Sequence, residues 1–409
     1  MIRQPTSRPE LSSRESFSGR RHVGPNRLGL SPTCRRRLSG PAATRRQAVA
    51  GDTPSCRRFA AARPGFTMVE LMVTVTIIGI LAGLAYGTLQ MARETAKVAQ
   101  TKTTVSKLHQ IIIARYESYR TRRVPLSRSQ IDLIITTNSW PENSRSVARV
   151  RLNGLRDLMR MEMPDRWSDV TTYDQANDVA DPSVVCLVPG MTRPALSYRY
   201  MRGFWQAYSR LVSQGLSSEQ ALNRVEVWGA AELLYMIVMN SPEAADQFNP
   251  NEIGDYDNDG LREFHDGWGL PIRFLRWPAG FVPANAFFPP NQADWEYPAD
   301  TELQTGNPTA DPDPFDPLGV GGGYALYPLI YSAGPDGIFD INIGKKEVSG
   351  QEVTQEYQLT SDGELSPYVE DGLGHLIGRP LDAKTPAGEP NNEQPDHFDN
   401  IHNHRLEAR

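Results

Sequence analysis

The sequence predicts an α+β fold: one long N-terminal helix packed on a globular head that carries a helical insertion and a small antiparallel C-terminal sheet. An apolar run from Phe66 to Met91 passes without a breaker into an amphipathic pattern, which predicts the long helix. Four further helical patterns between residues 124 and 250 predict the insertion. The sheet rests on two short C-terminal stretches taken up below.

Charge divides the chain. Residues 1–65 hold 14 Arg, no Lys and three acidic residues (Glu10, Glu15, Asp52), so this head is at +11 and the remainder at −16 within an overall −5. A basic head, an apolar run and an acidic body are the order expected of a membrane protein whose head stays inside and whose body is exported. The arginine run from Cys34 to Arg37 has no aromatic or folded context, so no nucleic-acid partner is expected. Of the three cysteines only Cys186 lies in the body, so no disulfide within the exported part is available to staple it.

Between Phe66 and Met91 the one charged residue is Glu70. These 26 residues make about 39 Å of helix at about 1.5 Å per residue, enough to cross a hydrocarbon layer of about 30 Å. A cleaved secretory signal would place its small residue after the apolar run, whereas here Gly65 precedes it. A plain anchor with Glu70 reaching for the interface is the bland alternative.

The stretch "RPG" followed by "FTMVEL" resembles the processing site of type IV prepilins and type II secretion pseudopilins. The resemblance implies that a prepilin peptidase cuts after Gly65 and methylates the amine of Phe66. It implies further that Glu70, fifth residue of the mature chain, pairs with the Phe66 amine of a neighbouring subunit. A charge in the membrane core otherwise costs about 2.5 to 3.5 kcal/mol on insertion scales. The partners so implied are the peptidase, the inner membrane and a homo- or hetero-oligomeric filament, with the head in the periplasm. Leaders of that family are short; no Met stands between Met1 and Met68, and a start at a codon such as that of Val49 is one explanation. Residues 1–65 are expected to be removed or disordered.

Gly79, Gly83 and Gly87 recur every four residues and leave one helix face bare for close backbone approach. Val98, Val105, Leu108, Ile112 and Tyr119 then carry the amphipathic pattern to about Arg122, before Pro125. The rod is thus assigned to residues 66–123, with 66–91 in the membrane.

In the insertion, 124–250, helices are expected over Ser127–Thr137, Ser144–Met163, Pro194–Ser213 and Ser218–Met239, the last opened by a Ser217–Gln220 capping box. The stretch Glu232–Met239 is too short to span a bilayer and reads as core, as do Tyr198, Tyr200, Phe204, Trp205 and Tyr208.

The C-terminal region, 251–378, opens on "DYDNDGLREFHD". Asp255, Asp257 and Asp259 alternate, Gly260 permits the turn, and Glu263 and Asp266 take the ninth and twelfth places of a loop begun at Asp255. Hard oxygen donors at this spacing suit Ca²⁺, with the Leu261 carbonyl as a further donor. No helix pattern precedes the loop, which argues against a full EF-hand; a solvated acidic turn is the alternative. "DGWGLPIRF" (Asp266–Phe274) resembles the strand entry of the major type II pseudopilin, and "YPLIYSAGPDGIFDI" (Tyr327–Ile341) its closing strand and calcium loop. By that resemblance Asp336 and Asp340 are candidate Ca²⁺ ligands, in a site of their own or converging with the first.

Pro278–Gly323, rich in Pro, Asp and Gly, is expected to be an exposed loop. The tail from 379 to 409 is expected to be disordered, and its His397, His402 and His404 to be a poor metal site. No serine-hydrolase elbow, zinc-protease or phosphate-loop motif occurs, and His265 beside Asp266 reads as loop chemistry. The expected role is therefore structural rather than enzymatic: a pseudopilus or pilus-like subunit, with a minor, adhesive or ligand-binding pilin as the first alternative and a membrane-anchored envelope enzyme using the acidic cluster as the second.

Overall fold

A computed structural model describes residues 65–174, 179–181, 188–282, 304–348, 351–354, 365–368, 370, 376–380, 400–404 and 406. The basic leader to residue 64, Cys186 and His397 lie outside these. The chain divides into a unit Met1–Thr67, of which only the exposed, irregular Gly65–Thr67 is described, and a unit Met68–Arg409.

Helix α1 runs Met68–Ser118, 51 residues or about 77 Å at about 1.5 Å each. A 3-10 turn, Tyr119–Thr121, closes it, and the backbone is extended from Arg122 toward Pro125. From Met68 to Ala96 the helix is exposed; beyond, Thr101, Thr104, Val105, Leu108, Ile112 and Tyr116 form one buried stripe. The two halves of the sequence pattern are thus one helix in two environments.

Helices α2 (Arg128–Thr137), α3 (Ser144–Glu162), α4 (Ala195–Ser213) and α5 (Ser218–Val238) end within one residue of the sequence reading. Ser127 with Gln130 and Ser217 with Gln220 are full capping boxes, and Asn143 caps α3. A one-turn α6, Pro242–Ala245, follows. Tyr200, Phe204 and Tyr208 are buried along α4 as expected of core, whereas Tyr198 is exposed, beneath the Arg193 guanidinium.

Among the described residues all strand pairs are antiparallel. Hairpins join β1 (Thr172–Asp174) to β2 (Val179–Asp181), β3 (Ile253–Gly254) to β4 (Glu263–Phe264) and, further on, β7 (Lys345–Val348) to β8 (Gln351–Thr354). The main sheet has the order β5 (Arg273–Leu275), β6 (Leu329–Ser332), β9 (Ile401–His402), with Arg273 opposite Tyr331 and Tyr331 opposite His402. Helix α1 packs on β6 and β9, α5 packs on β4 and β5, and the two helices also touch each other.

Two expectations are corrected. The segment 400–404 is not loose: Ile401 and His402 complete the sheet, and His404 is buried. Asn403 explains why. Its Oδ1 accepts from Ile330 N at 2.7 Å while its Nδ2 donates to the Pro328 carbonyl and meets His109 Nδ1 of α1, both at 2.9 Å. The described parts of Pro278–Gly323 are only partly the exposed loop expected: Phe281, Val282, Gln304 and Asp313 are buried, while residues 317–319 and 321–322 are exposed. Proline denies this stretch a strand ladder, but side chains answer its backbone instead: Gln304 donates to the Pro278 carbonyl and accepts from Tyr327 N.

Beneath the sheet lies a buried ionic network. Arg276, fully buried after β5, donates to Asp169 at 2.9 Å and to the Met163 carbonyl at 2.7 Å; Arg160 of α3 reaches Asp169 at 3.0 Å and Asp157 at 3.2 Å. Burial would raise the Asp169 pKa, but Arg276, Arg160 and Arg166 overcome it and hold the carboxyl well below the usual range.

Candidate functional site

At the N-terminus, Phe66 is 81% exposed, and from Val69 to Met91 the large apolar side chains of α1 all face outward. Glu70 stands in the first turn, where a carboxylate suits the positive end of the helix. Added Cβ atoms at Gly79, Gly83 and Gly87 would meet nothing, so this face is open in the single chain. Such a surface is stable only when lipid or other helices cover it.

The acidic loop spans the β3–β4 hairpin rather than two helices. Asn258 and Gly260 adopt φ of 62° and 99°, the left-handed turn the sequence suggested at Gly260. Each loop aspartate binds a backbone N–H with one oxygen: Asp255 takes Gly260 N at 3.1 Å, Asp257 takes Asp259 N at 3.2 Å, and Asp259 takes Leu261 N at 2.7 Å. Glu263, on β4, takes Tyr256 N at 3.0 Å. The second oxygen of all four has no hydrogen-bond partner and is buried. Asp255, Asp257 and Asp259 bring ligand atoms within 4.8 Å of one another.

A fifth carboxylate enters from outside the loop. Glu232 of α5 is fully buried, its Oε2 accepts from Trp167 Nε1 at 3.2 Å, and its Oε1 is unpartnered. It forms with Asp257 and Glu263 a second group whose ligand atoms lie within 4.8 Å. Burial, then the repulsion of Asp259, Glu263 and Asp257, pushes Glu232 far above the carboxylate range. Asp259 is raised to about 7 by burial and by Asp257, Glu263 and Asp255, and burial raises Asp257 and Glu263 too. The Arg224 guanidinium stands against this cluster with its Nε 3.8 Å from Asp257, and the His265 ring lies 3.8 Å from Glu263. The sequence reading missed Glu232. Its place was marked by spacing: Val225, Gly229 and Glu232 fall on one helix face, and the first two are buried.

The remaining predicted ligands lie elsewhere. Asp266 Oδ1 accepts from Trp268 N and Leu270 N, both at 2.9 Å, and its Oδ2 accepts from Ser332 Oγ at 2.7 Å. It closes the "DGWG" turn and ties it to β6, because a buried carboxylate with three donors in reach is satisfied without an ion. Asp336 is exposed and accepts from Ile338 N. Asp340 is buried at a left-handed φ of 44°. Among the described residues the structure brings neither into the acidic group. The Leu261 N–H supports Asp259, and its side chain packs on the core.

The "DGWG" turn also grips the rod: Gly267 N donates to Thr101 Oγ1 at 2.8 Å and Trp268 Nε1 to Glu94 at 3.0 Å.

Residues 61–86 match the family model described as the prokaryotic N-terminal methylation motif. This motif is typical of type IV pilins and pseudopilins, whose processing by prepilin peptidase it implies. The chain therefore resembles a type IV pilin-like protein at its N-terminus, and α1 is the long apolar helix that such a motif heads. No curated protein and no solved structure matches the chain.

Proposed function

We propose that the chain is a structural subunit of a type II secretion pseudopilus or a type IV pilus-like filament. It is cut after Gly65, methylated at Phe66, and held in the inner membrane by residues 66–91 with its head in the periplasm. On assembly the apolar half of α1 leaves lipid for the company of other subunits' helices, and Glu70 of each meets the Phe66 amine of a neighbour. One observation carries this reading: α1 is continuous from a wholly exposed apolar half to a half packed in the body. The N-terminal mass of the mature protein tests it. N-methyl-phenylalanine at Phe66 is the expected result; an intact leader or another cut would sink the proposal.

In the same reading the Asp255–Glu263 loop holds Ca²⁺, which offsets the repulsion of an exported body at −16. The support is the set of buried carboxylate oxygens without partners. Added Ca²⁺ should raise the melting temperature of the wild type, and Asp259→Asn should remove that rise; no shift would retire the metal.

A ligand-capturing minor subunit is the second reading, favoured by a groove of about 1280 Å³ lined by Arg120, Arg123, Arg128, Arg151, Ile131 and Phe315. Four exposed guanidiniums, one of them paired with Asp132, stand beside apolar walls and Glu142, and this net positive lining suits an acidic polypeptide segment with apolar side chains. Loss of binding to a Glu- and Leu-containing peptide in Arg123→Glu/Arg151→Glu would support it; unchanged binding, or none in the wild type, would not.

A further inference from the structure

We propose that Glu232 of α5 is a ligand in a buried divalent-cation position with Asp257 and Glu263, so that the bound ion joins the helical insertion to the β3–β4 loop. The proposal rests on the reading of that loop as a cation site and goes beyond it, since no loop motif contains Glu232.

Three features of the geometry support this. Glu232 and Glu263 are fully buried, Asp257 is 6% exposed, and one oxygen of each lacks any hydrogen-bond partner. The other oxygen of each is already fixed: Trp167 Nε1 holds Glu232, Asp259 N holds Asp257 and Tyr256 N holds Glu263. Each carboxylate is therefore held through one oxygen by an outer hydrogen bond, as metal ligands commonly are, and keeps its second oxygen without a hydrogen bond. Finally, the three ligand atoms lie within 4.8 Å of one another, close enough for a single ion to touch all three.

The donors are all oxygen and three of them are anionic, which suits Ca²⁺. Mg²⁺ keeps most of its water and is poorly served by a buried set of protein carboxylates. Asp257 also belongs to the adjoining Asp255–Asp257–Asp259 group, so the buried position is continuous with the loop. Glu232 thus supplies from another element what the loop's twelfth residue does not, because Asp266 spends its oxygens on Trp268, Leu270 and Ser332.

The experiment is a Ca²⁺ titration by calorimetry, with thermal melting, on the full chain in detergent after chelator treatment. Glu232→Gln should bind Ca²⁺ about tenfold or more weakly, as expected when the charge count of a site falls. In chelator the same variant should melt above the wild type, because the cost of burying the Glu232 carboxyl among other carboxylates is gone, and should gain less from Ca²⁺. This reversal of sign separates a ligand from a packing residue. Glu232→Asp, which keeps the charge but draws it back by one methylene, should lose affinity as well, and Asp266→Asn should keep the wild-type affinity. Wild-type affinity in both Glu232 variants, with Asp259→Asn impaired, would overturn this proposal and leave the loop reading standing. No Ca²⁺ binding by the wild type would overturn both.

Discussion

Arg276 Nη1 lies 2.9 Å from Asp169 Oδ2, and both side chains are fully buried although 107 positions separate them in the chain. The pair joins the end of β5 to the 3-10 turn after α3, and so fastens the helical insertion to the sheet. Arg160, Arg166 and Asp165 extend the network around it. A buried pair of this kind is costly to assemble, so its removal is asymmetric: losing one partner strands the other.

Arg276→Met should therefore destabilise the head by about 3 to 5 kcal/mol, read by chemical denaturation. The double variant Arg276→Met/Asp169→Asn should cost less than the sum of the two single changes, since the stranded charge is gone.

Gly267→Ala tests the grip on the rod. A Cβ there would sit 2.5 Å from the Lys97 carbonyl oxygen and 2.7 Å from its Cα, and backbone on both sides cannot yield cheaply. A loss of about 1 to 3 kcal/mol is expected, with faster amide exchange in α1 around Thr101 and little change in α2.

His404 gives the head a pH dependence. Burial lowers its pKa to about 4, and the neighbouring His109 adds to the shift while the Pro328 carbonyl opposes it. The unfolded chain titrates this residue near about 6.5. Its folded pKa is depressed, so the unfolded state binds the proton first. Stability is full above about 6.5 and declines as pH falls toward about 4. Urea unfolding at pH 7.5 and 5 should show a larger loss for the wild type than for His404→Leu; equal losses would contradict the assignment.

Glu70→Gln should leave processing intact and stop assembly. The N-terminal mass of the variant should match the wild type at Phe66, while sheared filaments should be absent. Filaments at wild-type yield would remove Glu70 from the assembly contact.

Much of the fold could be read in advance because its signals are local. Ser127, Gln130, Ser217 and Gln220 announce helix starts by capping chemistry, and the pattern Val105, Leu108, Ile112 records a helix lying on a body. The acidic loop was legible for the same reason, as alternating aspartates before a glycine. Glu232 and Asp266 were not, because their roles depend on partners far along the chain: Trp167 and Asp257 for one, Ser332 for the other. The tail was misjudged for a related reason. Its composition is that of a disordered segment, and the order of residues 400–404 comes from Asn403 finding Ile330, Pro328 and His109.

Neither proline nor glycine interrupts α1 between Thr88 and Ser118. This half of the helix has no hinge and is a stiff shaft, so a twist reaching Thr88 arrives where Thr101 meets Gly267 and is passed through Asp266 and Ser332 into the sheet. Turning the rod would therefore turn the head with it, as one lever.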